Sequence, residues 1–309
     1  MTRAVLTAVL TVFAVSIVSS QQAELGAPLN PALFAFRRTI PDGGPGAVAL
    51  IVDALALAHS RGPAEHFADV RILDSANRQV PYVIEYRDDP MIVSLTPERA
   101  DPPSSSPGAA RRSNWSTYRL RLPCTNLPAS QIAIETSARV FQRGVQLAVV
   151  RQADRHSRSA RLDTITATTW GHVATAEEPA PALTLSVVPA DASELWLSID
   201  EGDNSALPIT AVRLLLPSYR LRFYRPARSA LLLVYGRSDL LAPRYDLALV
   251  SGELLNAEAS EVTPLGERQA DVSRQPLLSP ARFWLLLSIA VVILLGLIVR
   301  LVTRPATEK

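Results

Sequence analysis

Two acidic clusters and a pair of indole rings are the parts of this sequence that could do chemistry. Asp200, Glu201, Asp203 and Asn204 fall together, and Asp88 is followed directly by Asp89. Paired carboxylates serve general acid–base catalysis or glycoside hydrolysis, where two carboxyl groups flank the bond to be cleaved. The same oxygen-rich set suits a hard cation, so Asp200, Asp203 and Asn204 are the candidate ligands of a calcium ion. Both clusters also read as turns: Asp88-Asp89-Pro90 has the make-up of a strand end, and Glu201-Gly202-Asp203-Asn204 that of a tight hairpin. Trp196 alternates with Leu195 and Leu197, and Trp170 precedes Gly171 at a strand end. Each is a candidate to stack on a sugar ring, and each also suits core packing.

Other catalytic patterns are not found. No Gly-x-Ser-x-Gly occurs, and Gly236-Arg237-Ser238-Asp239 lacks the second glycine that a nucleophile elbow needs. His59, His66, His156 and His172 form neither an HExxH motif nor a close pair. Phosphate-loop and dinucleotide fingerprints are missing as well. Cys124 is the single cysteine, which rules out an intrachain disulfide and a cysteine-rich metal site. The expectation is a protein that is not an enzyme and holds no cofactor besides the candidate calcium ion.

The formal charge is +2, yet setting aside Arg3, Arg300, Arg304, Glu308 and Lys309 at the two ends leaves 27 basic and 28 acidic residues of the 31 and 29. A nearly neutral body gives no field for nucleic acid. Arginine is spread along every segment without forming a basic run, and it reads as a compositional habit.

These residues must be held by elements that the pattern also predicts. Residues 1–20 read as a secretory signal: Arg3, an apolar run from Ala4 to Val18, then small residues suited to cleavage. Near the other end, Phe283 to Val302 is apolar apart from Ser288 and Arg300, and at 1.5 Å per residue it makes a helix of about 30 Å, the thickness of a bilayer's hydrocarbon core. The predicted membrane helix covers residues 280–303, with Phe283, Trp284 and Arg300 as its anchors and residues 304–309 as a cytoplasmic tail. An exported body without disulfides fits a bacterial envelope, placing the protein as a single-pass component of the cytoplasmic membrane with its bulk outside the cytoplasm.

Between these ends the chain is expected to be mainly β. Residues 24–112 form a first domain, with Pro- and Ser-rich residues 96–113 as a flexible loop. Its strand candidates are LFAFRRTI, AVALIVDALAL, ADVRILD, VPYVIEYRDD and MIVSL; ADVRILDSANRQVPYVIEY looks like a hairpin, and VDALALAHS has a helical alternative. Residues 113–255 form a second, jelly-roll-like domain, built from STYRLRLPC, QIAIETS, ARVFQRGVQLAVVRQ, LDTITATTW, ALTLSVV, ELWLSID, ITAVRLLL, YRLRFY, LLLVYG and YDLALV. Polar residues 256–279 read as a stalk.

ADVRILDSANRQVPYVIEY, ETSARVFQR, and YG followed by APRYDLALV resemble an uncharacterised bacterial envelope family, domain of unknown function 3999. That resemblance implies an exported all-β body with one C-terminal span, often encoded beside a large multi-spanning membrane protein, and it carries over no catalytic residue. RVFQRGVQLAV with LWLSIDEGDNSALPITAVRLLL is similar to galactose-binding-like or discoidin-like jelly rolls, which implies carbohydrate or surface binding for residues Thr117 to Tyr224. The functional expectation is therefore a non-catalytic accessory or scaffold subunit beside a neighbouring multi-spanning membrane protein. The alternative is a carbohydrate-binding ectodomain that recognises glycans through Trp170 or Trp196.

Overall fold

Short runs of alternating branched residues become strands along the whole body. The computed structural model describes residues 25–101, 114–151, 161–173, 179–187, 191–226 and 230–269, together with residues 284, 287, 288 and 291–295. The first part of the chain forms β1 (Phe36–Ile40), β2 (Gly46–Val52), helix α1 (Ala54–His59), β3 (Arg71–Leu73), β4 (Val83–Leu95) and β5 (Pro97–Arg99). There follow β6 (Trp115–Arg121), β7 (Ser130–Thr136), β8 (Val140–Arg151), β9 (Arg161–Val173), β10 (Leu183–Val187) and β11 (Glu194–Asp200). The last part gives β12 (Ile209–Arg225), β13 (Leu231–Tyr235), helix α2 (Ser251–Asn256), β14 (Ser260–Val262) and β15 (Arg268–Gln269). The chain is thus mainly β, in several sheets whose arrangement is consistent with β-sandwich packing.

β12 organises the fold. Along one edge it pairs antiparallel with β7 from Ile209 to Leu215 and then with β2 from Tyr219 to Arg225. Along its other edge it pairs with β4 through most of its length. Strands from both sides of the expected boundary at 112/113 therefore share one sheet, in the order β10-β7-β12-β2-β14 with β4 alongside. A second sheet runs β15-β1-β13-β3 and a third β5-β6-β11-β8-β9. One hydrophobic cluster threads through all three, from Ile40, Leu50 and Ile72 through Leu214 and Phe223 to Leu120, Leu147 and Leu197.

Several expectations change at the level of elements. VPYVIEYRDD and MIVSL are one strand, β4, because Asp88-Asp89-Pro90 does not end it. The register steps from Ser218↔Arg87 to Leu216↔Met91, so β4 takes up its extra residues as a bulge opposite Pro217. Pro217 is tolerated there because the ladder is already broken at the bulge. The expected hairpin of β3 and β4 closes only around its turn, where Leu73 bridges Gln79 antiparallel and the Val80 amide donates to the Ile72 carbonyl at 2.8 Å. Asp74 Oδ1 accepts from the amides of Ala76 and Arg78 at 2.9 and 2.8 Å to form the turn, but the two strands then enter different sheets. The VDALALAHS stretch resolves into the end of β2 and α1, with the Asp53 carboxylate capping the helix by accepting from the Ala56 amide at 3.1 Å. YDLALV, expected as a strand, is a 3₁₀ turn over Asp246–Val250 leading into α2. Leu247 and Leu254 are buried at a helical interval, which a period-two reading passes over.

The largest correction concerns the stalk. Residues 257–269 are strapped to the body: β14 pairs in parallel with β2, and β15 pairs antiparallel with β1. Within the expected flexible loop, Pro97–Arg99 is β5, paired with β6; residues 102–113 lie outside the described residues. The expected signal, residues 1–20, lies outside them as well. So does most of the expected membrane helix, including Phe283 and Arg300. Trp284, Leu287, Ser288 and residues 291–295 are helical, and Trp284, Leu287 and the apolar residues 291–295 are exposed. Among the described residues no helix is long and apolar enough to cross a membrane.

Candidate functional site

The residues singled out for chemistry are put to structural use. Trp170 is 4% exposed, packed edge-on against Phe141 with ring centroids 5.1 Å apart. Trp196 does turn away from Leu195 and Leu197, but it is only 5% exposed, between Arg119 of β6 and Ala148 of β8 in register. Neither indole offers a face to a sugar ring, which corrects the expectation for both.

Asp200, Asp203 and Asn204 do form a turn, with Gly202 at a φ of 56°, where glycine is favoured. Asp200 Oδ1 accepts from the Gly202 amide at 3.1 Å, and the Asn204 side-chain amide donates to the Glu201 carbonyl at 3.1 Å. Asp203 is exposed, and among the described residues no group of three or more His, Cys, Asp or Glu side chains is placed to hold a metal ion. The turn also joins strands of two different sheets, so it is a crossover and not a hairpin.

Its second residue, Glu201, makes contacts that the sequence reading missed. Glu201 is 4% exposed; its Oε2 accepts from Arg143 Nε at 3.0 Å and from the Leu207 amide at 3.1 Å. Arg143 lies in phase with Phe141, Val145 and Leu147 on the buried face of β8. That phase is the signal: an arginine at an inward position of a strand needs a buried partner.

A second cluster of this kind is larger and draws on both ends of the body. Arg38 occupies the inward phase of β1 between Phe36 and Ile40, and it is 4% exposed. Its guanidinium donates to Asp53 Oδ1 at 2.6 Å, to the Leu265 carbonyl at 2.6 Å and to the Pro264 carbonyl at 2.9 Å. Glu267, two residues further along the strap, receives the Tyr235 hydroxyl and lies 2.8 Å from His59 Nδ1. The His59 ring is stacked on Phe36 at 4.5 Å, and Phe36 on Tyr235 at 5.6 Å. Cys124 is near, donating to the Ala54 carbonyl at 3.4 Å.

The electrostatics of this cluster favour holding over reacting. Burial, reinforced by Glu267, keeps the Tyr235 phenol protonated well above its ordinary range. Burial together with Asp53 and Glu267 pushes the Cys124 thiol up to about 11, the opposite of what a nucleophilic thiolate needs. Both carboxylate oxygens of Glu267 already face protein donors, and all of Arg38's bonds but one go to backbone carbonyls of the strap. The cluster is a clasp, closing residues 264–267 onto β1, α1 and β13. Around it, Arg220 pairs with Glu261 at 2.8 Å, while Arg222 bonds Glu85 at 2.8 Å and donates to the Ala257 carbonyl at 2.9 Å. The arginines are therefore more than a compositional habit, since three of them fix the strap.

Comparison with protein-family models finds no match for this chain, and comparison with curated proteins finds none either.

Proposed function

We propose that this chain is a non-catalytic, single-pass protein of the bacterial envelope, held in the cytoplasmic membrane by residues 280–303, with its β-rich body outside the cytoplasm. It serves as an accessory or scaffold subunit beside a neighbouring multi-spanning membrane protein. The observation that carries this reading is the clasped strap. Because residues 257–269 belong to the body, only residues 270–282 separate it from the apolar run that begins at Phe283. Fully extended, that connector reaches about 45 Å and keeps the body near the bilayer. The exposed apolar side chains of Trp284, Leu287 and residues 291–295 support a lipid-facing helix, and the resemblance to the envelope family supports a membrane-protein partner.

The test is crosslinking of the full-length protein in its native membrane, followed by mild extraction and mass spectrometry. A stoichiometric multi-spanning partner is expected; recovery only as a free monomer overturns the reading. The carbohydrate-binding alternative loses Trp170 and Trp196 as stacking residues, but a cleft elsewhere on the body favours glycan recognition.

A further inference from the structure

That cleft, of about 490 Å³, opens where the central sheet changes partners. On one edge of β12, pairing with β7 stops at Leu215↔Gln131 and pairing with β2 starts at Tyr219↔Val52. Leu216, Pro217 and Ser218 lie in the gap between these two ladders. On the other edge, the β4 bulge draws Arg87, Asp88 and Pro90 into the wall.

What the cleft presents decides what it suits. Tyr86 stands at its rim, 62% exposed, yet its ring is braced: it lies 5.5 Å from Tyr219, whose ring meets Phe67 edge-on at 5.1 Å. Phe67 is core, at 1% exposure. An exposed aromatic ring tied to the core through two contacts is pre-organised and loses little freedom when a ligand stacks on it. The cleft is also lined by Ser130, Ser186, Ser218 and Gln131, which carry short hydroxyl and amide side chains, and by Leu215 and Pro217, which are apolar.

Other occupants fit less well. From Leu215 to Tyr219 the gap is four residue steps, about 13 Å, shorter than the roughly 17–20 Å of an ordinary strand, so an added peptide strand would be truncated. Among the described lining residues an anionic ligand would find one cation, Arg87, which is already 3.6 Å from Asp89, with Asp88 beside it in the wall. Short hydroxyl and amide groups and apolar side chains, with one braced aromatic face, match a neutral sugar chain. Its rings have apolar faces for Tyr86 and hydroxyl edges for the serines and Gln131.

We infer that the cleft at the β4 bulge, walled by β4, β7, β10 and β12 and with Tyr86 as its stacking residue, is a binding site for a short run of neutral carbohydrate. This goes beyond the scaffold reading and does not depend on the partner or the anchor. The test uses the full-length protein in a detergent without a sugar headgroup, titrated with chitotriose, cellotriose, maltotriose and, as an acidic arm, trigalacturonate, by calorimetry and saturation-transfer NMR. At least one neutral trisaccharide is expected to bind with a Kd of about 1 mM or tighter. Tyr86→Ala should weaken that binding about tenfold or more, whereas Tyr86→Phe, which keeps the ring, should stay within about threefold. A bulky Ser218→Arg in the cleft should abolish binding without removing the stacking ring. The inference is overturned if no neutral trisaccharide binds at about 10 mM, if only trigalacturonate binds, or if Tyr86→Ala binds like the parent.

Discussion

Replacing Glu267 with alanine should loosen the strap without unfolding the body. Two donors lose their acceptor: the hydroxyl of Tyr235, a residue with no exposed surface, and Nδ1 of His59. Leaving a buried hydroxyl unpaired costs about 1–3 kcal/mol, and losing an ordinary hydrogen bond about 1 kcal/mol, so the clasp should weaken by about 3 kcal/mol. Each 1.4 kcal/mol is tenfold in an opening equilibrium, so amide exchange in residues 257–269 should quicken about a hundredfold. The reporter is the segment holding the Leu265 amide, which donates to the Thr39 carbonyl at 2.9 Å, followed by hydrogen–deuterium exchange with mass spectrometry. Strands β8 and β11 serve as the internal control and should exchange as in the parent. A double variant sharpens the test: adding Tyr235→Phe to Glu267→Ala removes the orphaned hydroxyl and should recover part of the loss. Strap exchange within about threefold of the parent, or a double variant that is worse than Glu267→Ala, would refute the clasp.

Two further outcomes follow from the electrostatics. The Cys124 thiol, raised from 9.0 to about 11 by burial and by Asp53 and Glu267, should react with iodoacetamide at pH 8 about a hundredfold more slowly in the native protein than in the urea-unfolded chain. Equal rates would show that the thiol does not sit in this environment. The Arg222 guanidinium, working against burial, holds the Glu85 carboxyl below its ordinary 4.5. A depressed folded value means that the pair stabilises the protein above pH 4.5 and that this contribution is lost as pH falls through the folded value. Glu85→Gln should therefore lower the urea midpoint at neutral pH and lower it less at pH 3.5; a gap that does not shrink in acid would refute the assignment.

How much of this was legible in the sequence varied with the kind of signal. Most strands followed from period-two alternation, as in β7 and β11, because one face of each packs into the core. Breaks were overread. Asp88-Asp89-Pro90 reads as a strand end and ITAVRLLL and YRLRFY as separate strands, yet β4 and β12 each run on, and the two breaks face each other across one ladder as a bulge, a relation that only pairing in space creates. The site was harder to find because its polar residues lie far apart along the chain: Arg38 meets Pro264 and Leu265, and Glu267 meets His59. A usable trace did exist. Arg38 and Arg143 occupy the apolar phase of β1 and β8, and such an arginine calls for a buried acceptor even when its identity is hidden. Tyr86 carried no such mark: it is an exposed residue of β4, two positions before the bulge begins at Asp88.

The strap explains why the clasp must be polar. The segment AEASEVTPLGERQ, residues 257–269, offers only Val262 and Leu265 as large apolar side chains, and Leu265 is 52% exposed. So little buried surface cannot offset the conformational entropy of ordering thirteen residues. What remains is the ladder to β1 and β2 and the arginines that reach it, Arg38 to the carbonyls of 264 and 265, Arg222 to that of 257 and Arg220 to Glu261. These bonds are directional, so they fix where the chain leaves the body as well as holding it there. Peeling from Gln269 would open the two-residue β15 first and then meet Glu267 and Arg38, which makes the clasp the point that resists. A strap held by apolar packing alone would leave that exit point less sharply defined.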